Sequence, residues 1–85
     1  MPEKKEIGEV THYFSKIGVA VIKLNDTLKI GDKISIEGAT TNFEQTVESM
    51  QINKENIEEA KAGQEIGLKV NERAREGDKV YKIEE

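Results

Sequence analysis

Apolar and β-branched residues recur along this chain with period two, in short runs separated by turn residues, as in strands that bury one face. Ile7–Phe14 and Ile17–Leu24 are the first two runs, with Ser15-Lys16 as a tight connection between them. The second run carries Val19 and Val21 on one face and Ala20, Ile22 and Leu24 on the other, which predicts a central strand covered on both sides. Asn25-Asp26 ends it with side chains that bond to nearby backbone. Lys33–Glu37 alternates Ile34 and Ile36 against Lys33, Ser35 and Glu37, the mark of a half-buried strand.

Between Phe43 and Ile52 the parity changes. Phe43 and Val47 share one face while Met50 and Ile52 sit on the other, so a β-bulge near Glu48-Ser49 is predicted. Asn56 followed by Glu59 has the form of a capping box, and Gly63 is placed to close a short helix, so Asn56–Ala62 is expected to be helical. Glu65–Val70 and Lys79–Ile83 supply the last strands. Six short strands with one brief helical turn predict an all-β fold, a small six-stranded antiparallel barrel. Residues 1–6 are expected to be a flexible tail, and residues 7–85 a single barrel domain. Ile22, Ile34, Val47, Leu68, Val70 and Val80 are predicted to meet in its interior.

One internal echo stands out: Lys29-Ile30-Gly31-Asp32-Lys33-Ile34 and Arg75-Glu76-Gly77-Asp78-Lys79-Val80. In both, Gly-Asp leads straight into a strand, which predicts two equivalent turns with positive φ at the glycine. A metal site at Asp32 and Asp78 lacks a third partner at suitable spacing.

Composition narrows the range of functions. Eighty-five residues, 35% hydrophobic and 35% charged, supply one modest core and little room for a deep substrate cleft. No cysteine is present, so disulfides, thiolate metal sites and thiol nucleophiles are excluded, and a reducing compartment fits. The polar start at Met1–Glu6 and the short apolar run Ile17–Ile22 predict neither a secretory signal nor a membrane helix, so a cytoplasmic protein is expected. A net charge of −4 argues against nonspecific coating of nucleic acid, and no DNA or membrane partner is expected.

The catalytic motifs are missing as well. No glycine precedes a lysine as a phosphate-binding loop of the Walker type requires, and no two glycines have the spacing of a dinucleotide fingerprint. His12 is the single histidine, too little for a zinc centre, and Ser15 lies across the predicted first turn from it. No catalytic residue, cofactor or metal site is predicted.

What remains is recognition. His12, Tyr13 and Phe14 form an aromatic cluster with two readings: alternate members fill the core, or outward members offer a stacking surface. Phe43, after the uncharged Gly38–Asn42 loop, poses the same choice. Lys69, Arg73, Arg75, Lys79 and Lys82 gather in the last third, interleaved with Glu72, Glu76 and Glu84. They read as a mixed solvated face or as a contact with phosphate, for which Arg73 and Arg75 are the best forks. The candidate RNA or partner contacts are therefore His12, Tyr13, Lys69, Arg73, Arg75 and Lys79.

Two resemblances bear on this reading. Leu28-Lys29-Ile30-Gly31-Asp32-Lys33-Ile34, Val47-Glu48-Ser49-Met50 and Ala62-Gly63-Gln64-Glu65-Ile66-Gly67 stand in the order seen in domain two of elongation factor Tu and its relatives, which the chain resembles. It is more closely similar to the C-terminal barrel of collagenase-like peptidase-family proteins, a family associated with tRNA and ribosomal RNA hydroxylation. The residues that carry this likeness are Val10–Phe14, Lys16–Val21, Gly38–Phe43 and Glu48–Ile52. In both relatives catalysis belongs to another domain. The resemblance therefore implies a noncatalytic binding module for tRNA, ribosomal RNA or the translation machinery, or else a docking adaptor for a separately encoded peptidase-like RNA-modifying enzyme.

Overall fold

A computed structural model describes residues 3–84. Its elements are all strands: β1 (Glu3–Phe14), β2 (Val19–Leu24), β3 (Leu28–Lys29), β4 (Lys33–Glu37), β5 (Asn42–Thr46), β6 (Met50–Ile52), β7 (Glu55–Ile57), β8 (Glu59–Ala60), β9 (Glu65–Lys69) and β10 (Lys79–Glu84). Eight of them form one antiparallel sheet in the order β5-β4-β10-β1-β2-β9-β6-β7, and β3 pairs with β8. The all-β class holds, but the six-stranded closed barrel does not.

The sheet is nonetheless curled. Only Val47, Glu48 and Ser49 connect β5 at one edge to β6 near the other. Such a link reaches at most about 14 Å, whereas the six inter-strand spacings between β5 and β6 in a flat sheet would measure about 29 Å. The edges must therefore approach each other. No ladder among the described residues joins them, and the side chain of Gln45 bridges the gap instead: its Nε2 donates to the Lys69 carbonyl (2.9 Å), and its Oε1 accepts from the Asn71 N–H (2.7 Å). The parity change between Phe43 and Ile52 is thus a passage between two strands rather than a bulge within one.

The predicted helix over Asn56–Ala62 is absent. Asn53 (φ 51°) and Lys54 (φ 67°) form a two-residue turn in which both residues are left-handed, the geometry that best matches hairpin twist. That turn feeds β7 back along β6 with Ile52 opposite Glu55. Asn56 is thereby paired with Gln51, whose Nε2 donates to its Oδ1, and the extended chain after it offers no helical N–H to cap; β8 carries Ala60 against Leu28, both fully buried.

All six residues predicted for the interior are buried in one core, together with Ile7, Val10, Ala20, Leu24, Leu28, Ile36, Phe43, Met50 and Ile66. Central position holds for β2, but Val19 and Val21 are only half-covered, so its outer face is not packed over. Ser35, on the outer face of β4, is by contrast fully covered, and its hydroxyl donates to Glu37 Oε2 (2.7 Å).

The Gly-Asp echo is real and has a third copy. Lys29–Asp32, Lys61–Gln64 and Arg75–Asp78 are β-turns with Gly31, Gly63 and Gly77 at φ 94°, 90° and 91°. In each, the first residue's N–H donates to the side-chain oxygen of the fourth, Asp32, Gln64 or Asp78. Each glycine N–H also donates to a carbonyl, of Val47, Leu24 or Val10, and that residue's N–H returns a bond to the fourth residue's carbonyl. Three identical clamps therefore fix three buried positions. The glycines are needed because positive φ at the third turn position strains any residue with a Cβ.

Residues 3–6, expected as tail, run as the start of β1 opposite β10, from Glu3↔Glu84 to Glu6↔Tyr81; residues 1 and 2 lie outside the described residues. Lys4 meets Glu37 at 2.8 Å and Lys5 meets Asp26 at 2.6 Å. The Lys4 bond, then that of Ser35, holds the Glu37 carboxyl below its usual range; Lys5, then the Thr27 N–H, does the same for Asp26. The same bonds raise Lys4 and Lys5. A lowered carboxyl contributes stability that is full above about pH 4 and lost as pH falls through its folded value. A raised ammonium contributes below about pH 10.4 and loses its share as pH rises further. The melting temperature should therefore decline on both flanks of a neutral plateau. In thermal melts across pH, Glu37→Gln should show a shallower decline below pH 4 than the parent; an identical acid limb would remove this pair from the account.

Candidate recognition cleft

The cleft is made by a bulge. Continuing the inward alternation from Val10 would turn His12 and Phe14 into the core and Tyr13 out. The β1–β2 register shifts between Val10 and His12, which leaves Thr11 as the extra residue, and the parity reverses. Tyr13 consequently packs against the core while His12 and Phe14 face solvent, Phe14 with 51% of its surface exposed. The two outward rings lie 6.4 Å apart, tilted by 32°. Tyr13 is thus the member that fills the core, and His12 and Phe14 are the outward ones.

Beside it runs the segment that leads into the last turn. Ala74 is buried and pins this segment to the core, and the Arg75–Asp78 clamp on Val10 fixes its far end. Tyr13, Arg73, Ala74, Arg75 and Glu76 line a shallow open cleft. His12 Nδ1 stands 3.2 Å from Glu76 Oε1 at its rim. Arg73 and Arg75 are exposed, and neither guanidinium has an ion-pair partner among the described residues.

Four of the six predicted contacts are therefore brought together: His12, Tyr13, Arg73 and Arg75. Lys79 is not with them. It stands opposite Glu9, its Nζ 3.4 Å from that carboxylate, and lines a separate groove with Glu6, Thr11 and Lys23. Lys69 ends β9, opposite Val19, which is itself opposite Phe14; it belongs to the outer sheet face rather than to the cleft. Phe14 is outside the six predicted contacts, and Ile17, predicted to open the second strand, precedes β2. Ile17 falls in the Ser15–Gly18 turn, 59% exposed. An apolar residue just before a turn glycine was the signal. Asp32 and Asp78 spend their carboxylates on their own turns, and no group of three potential metal-ligating side chains exists among the described residues.

Fold and cleft together define a small all-β domain with a shallow cleft open on its surface. No protein-family model matches the chain. It is 49% identical over 83 residues to an uncharacterized protease of Methanocaldococcus jannaschii and 37% identical over 84 residues to a collagenase of Porphyromonas gingivalis. Each match takes in 96% of this chain, which spans only 20% and 23% of those relatives. The fold is that of the C-terminal domain of a Geobacillus thermoleovorans protein described as a U32 peptidase: two crystal structures superpose with TM-scores of 0.86 and 0.84, at 21% and 20% identity. They cover 92% and 89% of this chain, and 91% and 96% of their own. No helix among the described residues is long and apolar enough to cross a membrane.

Proposed function

We propose that this chain is a noncatalytic recognition module that binds RNA, of the tRNA or ribosomal class, through the cleft of Tyr13, Arg73 and Arg75. The observation that carries the proposal is a pair of guanidiniums with no ion-pair partner among the described residues, beside a fixed aromatic ring, in a chain whose net charge is −4. Cations that intramolecular carboxylates leave alone, despite the acidic excess, suit phosphate, which an arginine fork grips bidentately. Proteolysis, as named in the relatives, is assigned on this reading to the remaining four-fifths of their length, and the setting is cytoplasmic.

Titrating labelled tRNA and ribosomal RNA fragments tests it. Binding should weaken steeply with added salt, because phosphate contacts release counterions. Arg73→Glu with Arg75→Glu should reduce affinity at least tenfold with little change in melting temperature, since both side chains are exposed. Equal binding by parent and double variant would take the cleft out of the interface. Exposed Ile17 and Phe14 favour a second reading, docking onto a peptidase-like RNA-modifying protein; capture of such a protein that persists at high salt, without RNA, would select it.

A further inference from the structure

We infer that the outer face of β1, β2, β9 and β6, next to the arginine cleft, is a platform for unpaired RNA bases, so that the ligand is single-stranded. The inference rests on the RNA reading above and adds which form of RNA is taken.

Register builds the platform. Phe14, Val19 and Lys69 are opposite one another across β1, β2 and β9; one step along, His12, Val21, Gly67 and Gln51 form a parallel row reaching β6. Cross-strand partners project to the same side, so these two rows share the solvent face of the sheet. At one side stand the exposed rings of His12 and Phe14. In the middle the floor is low, because Gly67 has no side chain and the valines beside it are half-buried. A Cβ on Gly67 would lie 3.3 Å from Val19 Cγ1, so even a methyl group there would push Val19 outward and raise the floor. At the far side Gln51 Nε2 donates to Asn56 Oδ1 (2.9 Å), and both amides are exposed with further donors and acceptors free for base edges.

Charge selects the occupant. Lys69 closes the Phe14 row without an ion-pair partner among the described residues, and Arg73 and Arg75 follow it along the chain. Rings, a low floor and amides flanked by these cations complement a polyanion that carries planar, hydrogen-bonding groups. A duplex hides those groups in its stack and its narrow major groove, whereas a sheet face of this width takes about two or three splayed bases. The outer side of a curled sheet is convex, and convexity favours a strand that wraps over it.

Three probes of equal length separate the terms: a mixed-sequence single strand, the same strand in a duplex, and a strand of abasic ribose phosphates. The parent should bind the first at least tenfold more tightly than the others. Phe14→Ala should weaken single-strand binding about five- to hundredfold, as loss of one stacked base does, and leave the other two probes unaffected. Phe14→Trp should retain the preference. Equal parent affinity for the three probes, or a Phe14→Ala variant indistinguishable from parent, overturns the platform while the arginine cleft stands if Arg73→Glu with Arg75→Glu still abolishes binding. No binding of any probe by the parent overturns both. The melting temperature of Phe14→Ala, at a half-exposed position, checks that the sheet is intact.

Discussion

Leu68→Ala should destabilise the domain by about 2 to 5 kcal/mol, the range for a buried leucine whose cavity cannot collapse. Leu68 is fully buried in β9, with Ala20 of β2 on one side and Met50 of β6 on the other. Neither neighbour can fill the space. Ala20 is too short, and the Met50 side chain could reach the space only by leaving its own buried place. For a domain of this length each kcal/mol corresponds to about 4 to 8 °C in melting temperature, so the midpoint should fall by at least about 8 °C. Chemical denaturation with an unchanged slope would show that the loss is one of stability and not of cooperativity. A variant that melts with the parent would mean that β9 does not face the core in this register.

Gln45→Met should be nearly as costly, although it preserves volume and adds apolar surface. The amide is almost wholly buried and carries both hydrogen bonds across the seam between β5 and the end of β9. Methionine removes both hydrogen bonds, each worth about 0.5 to 1.5 kcal/mol net, and more where the partner left behind is shut off from water. Gln45→Glu separates the two contributions: a carboxylate still accepts from Asn71 but faces the Lys69 carbonyl with no hydrogen. Hydrogen exchange gives the local readout, since the Asn71 amide should lose protection in Gln45→Met and keep it in Gln45→Glu. If Gln45→Met melts within a degree of the parent, the seam is closed by packing alone.

These two positions mark the boundary between what was legible and what was not. Leu68 could be read from alternation, because Ile66, Leu68 and Val70 share a parity that only a buried face explains. The Gly31 and Gly77 turns could be read for a similarly local reason: positive φ followed by a side chain that bonds its own turn is a matter of four residues. Their third copy was concealed by Gln64 in place of Asp, and by the capping-box form of Asn56 and Glu59. Local propensity there favoured a helix, and pairing with β6 and β3 overrode it.

The sequence by itself determined the all-β class, the membership of the core, the two Gly-Asp turns and the residue types available for recognition, because alternation and turn chemistry act over a few neighbours. Tertiary structure alone decided the curl of the sheet, the use of Gln45 as its closure, the pairing of residues 3–6 with β10, and which of His12, Tyr13 and Phe14 faces solvent. Each depends on contacts between residues distant in sequence, and the last turns on one extra residue. Thr11 enters β1 without a place in the β1–β2 ladder, and from that point every side chain to Phe14 changes sides. Period two has no memory of which face it began on, so a single bulge exchanges core for surface and places two rings where a partner can reach them.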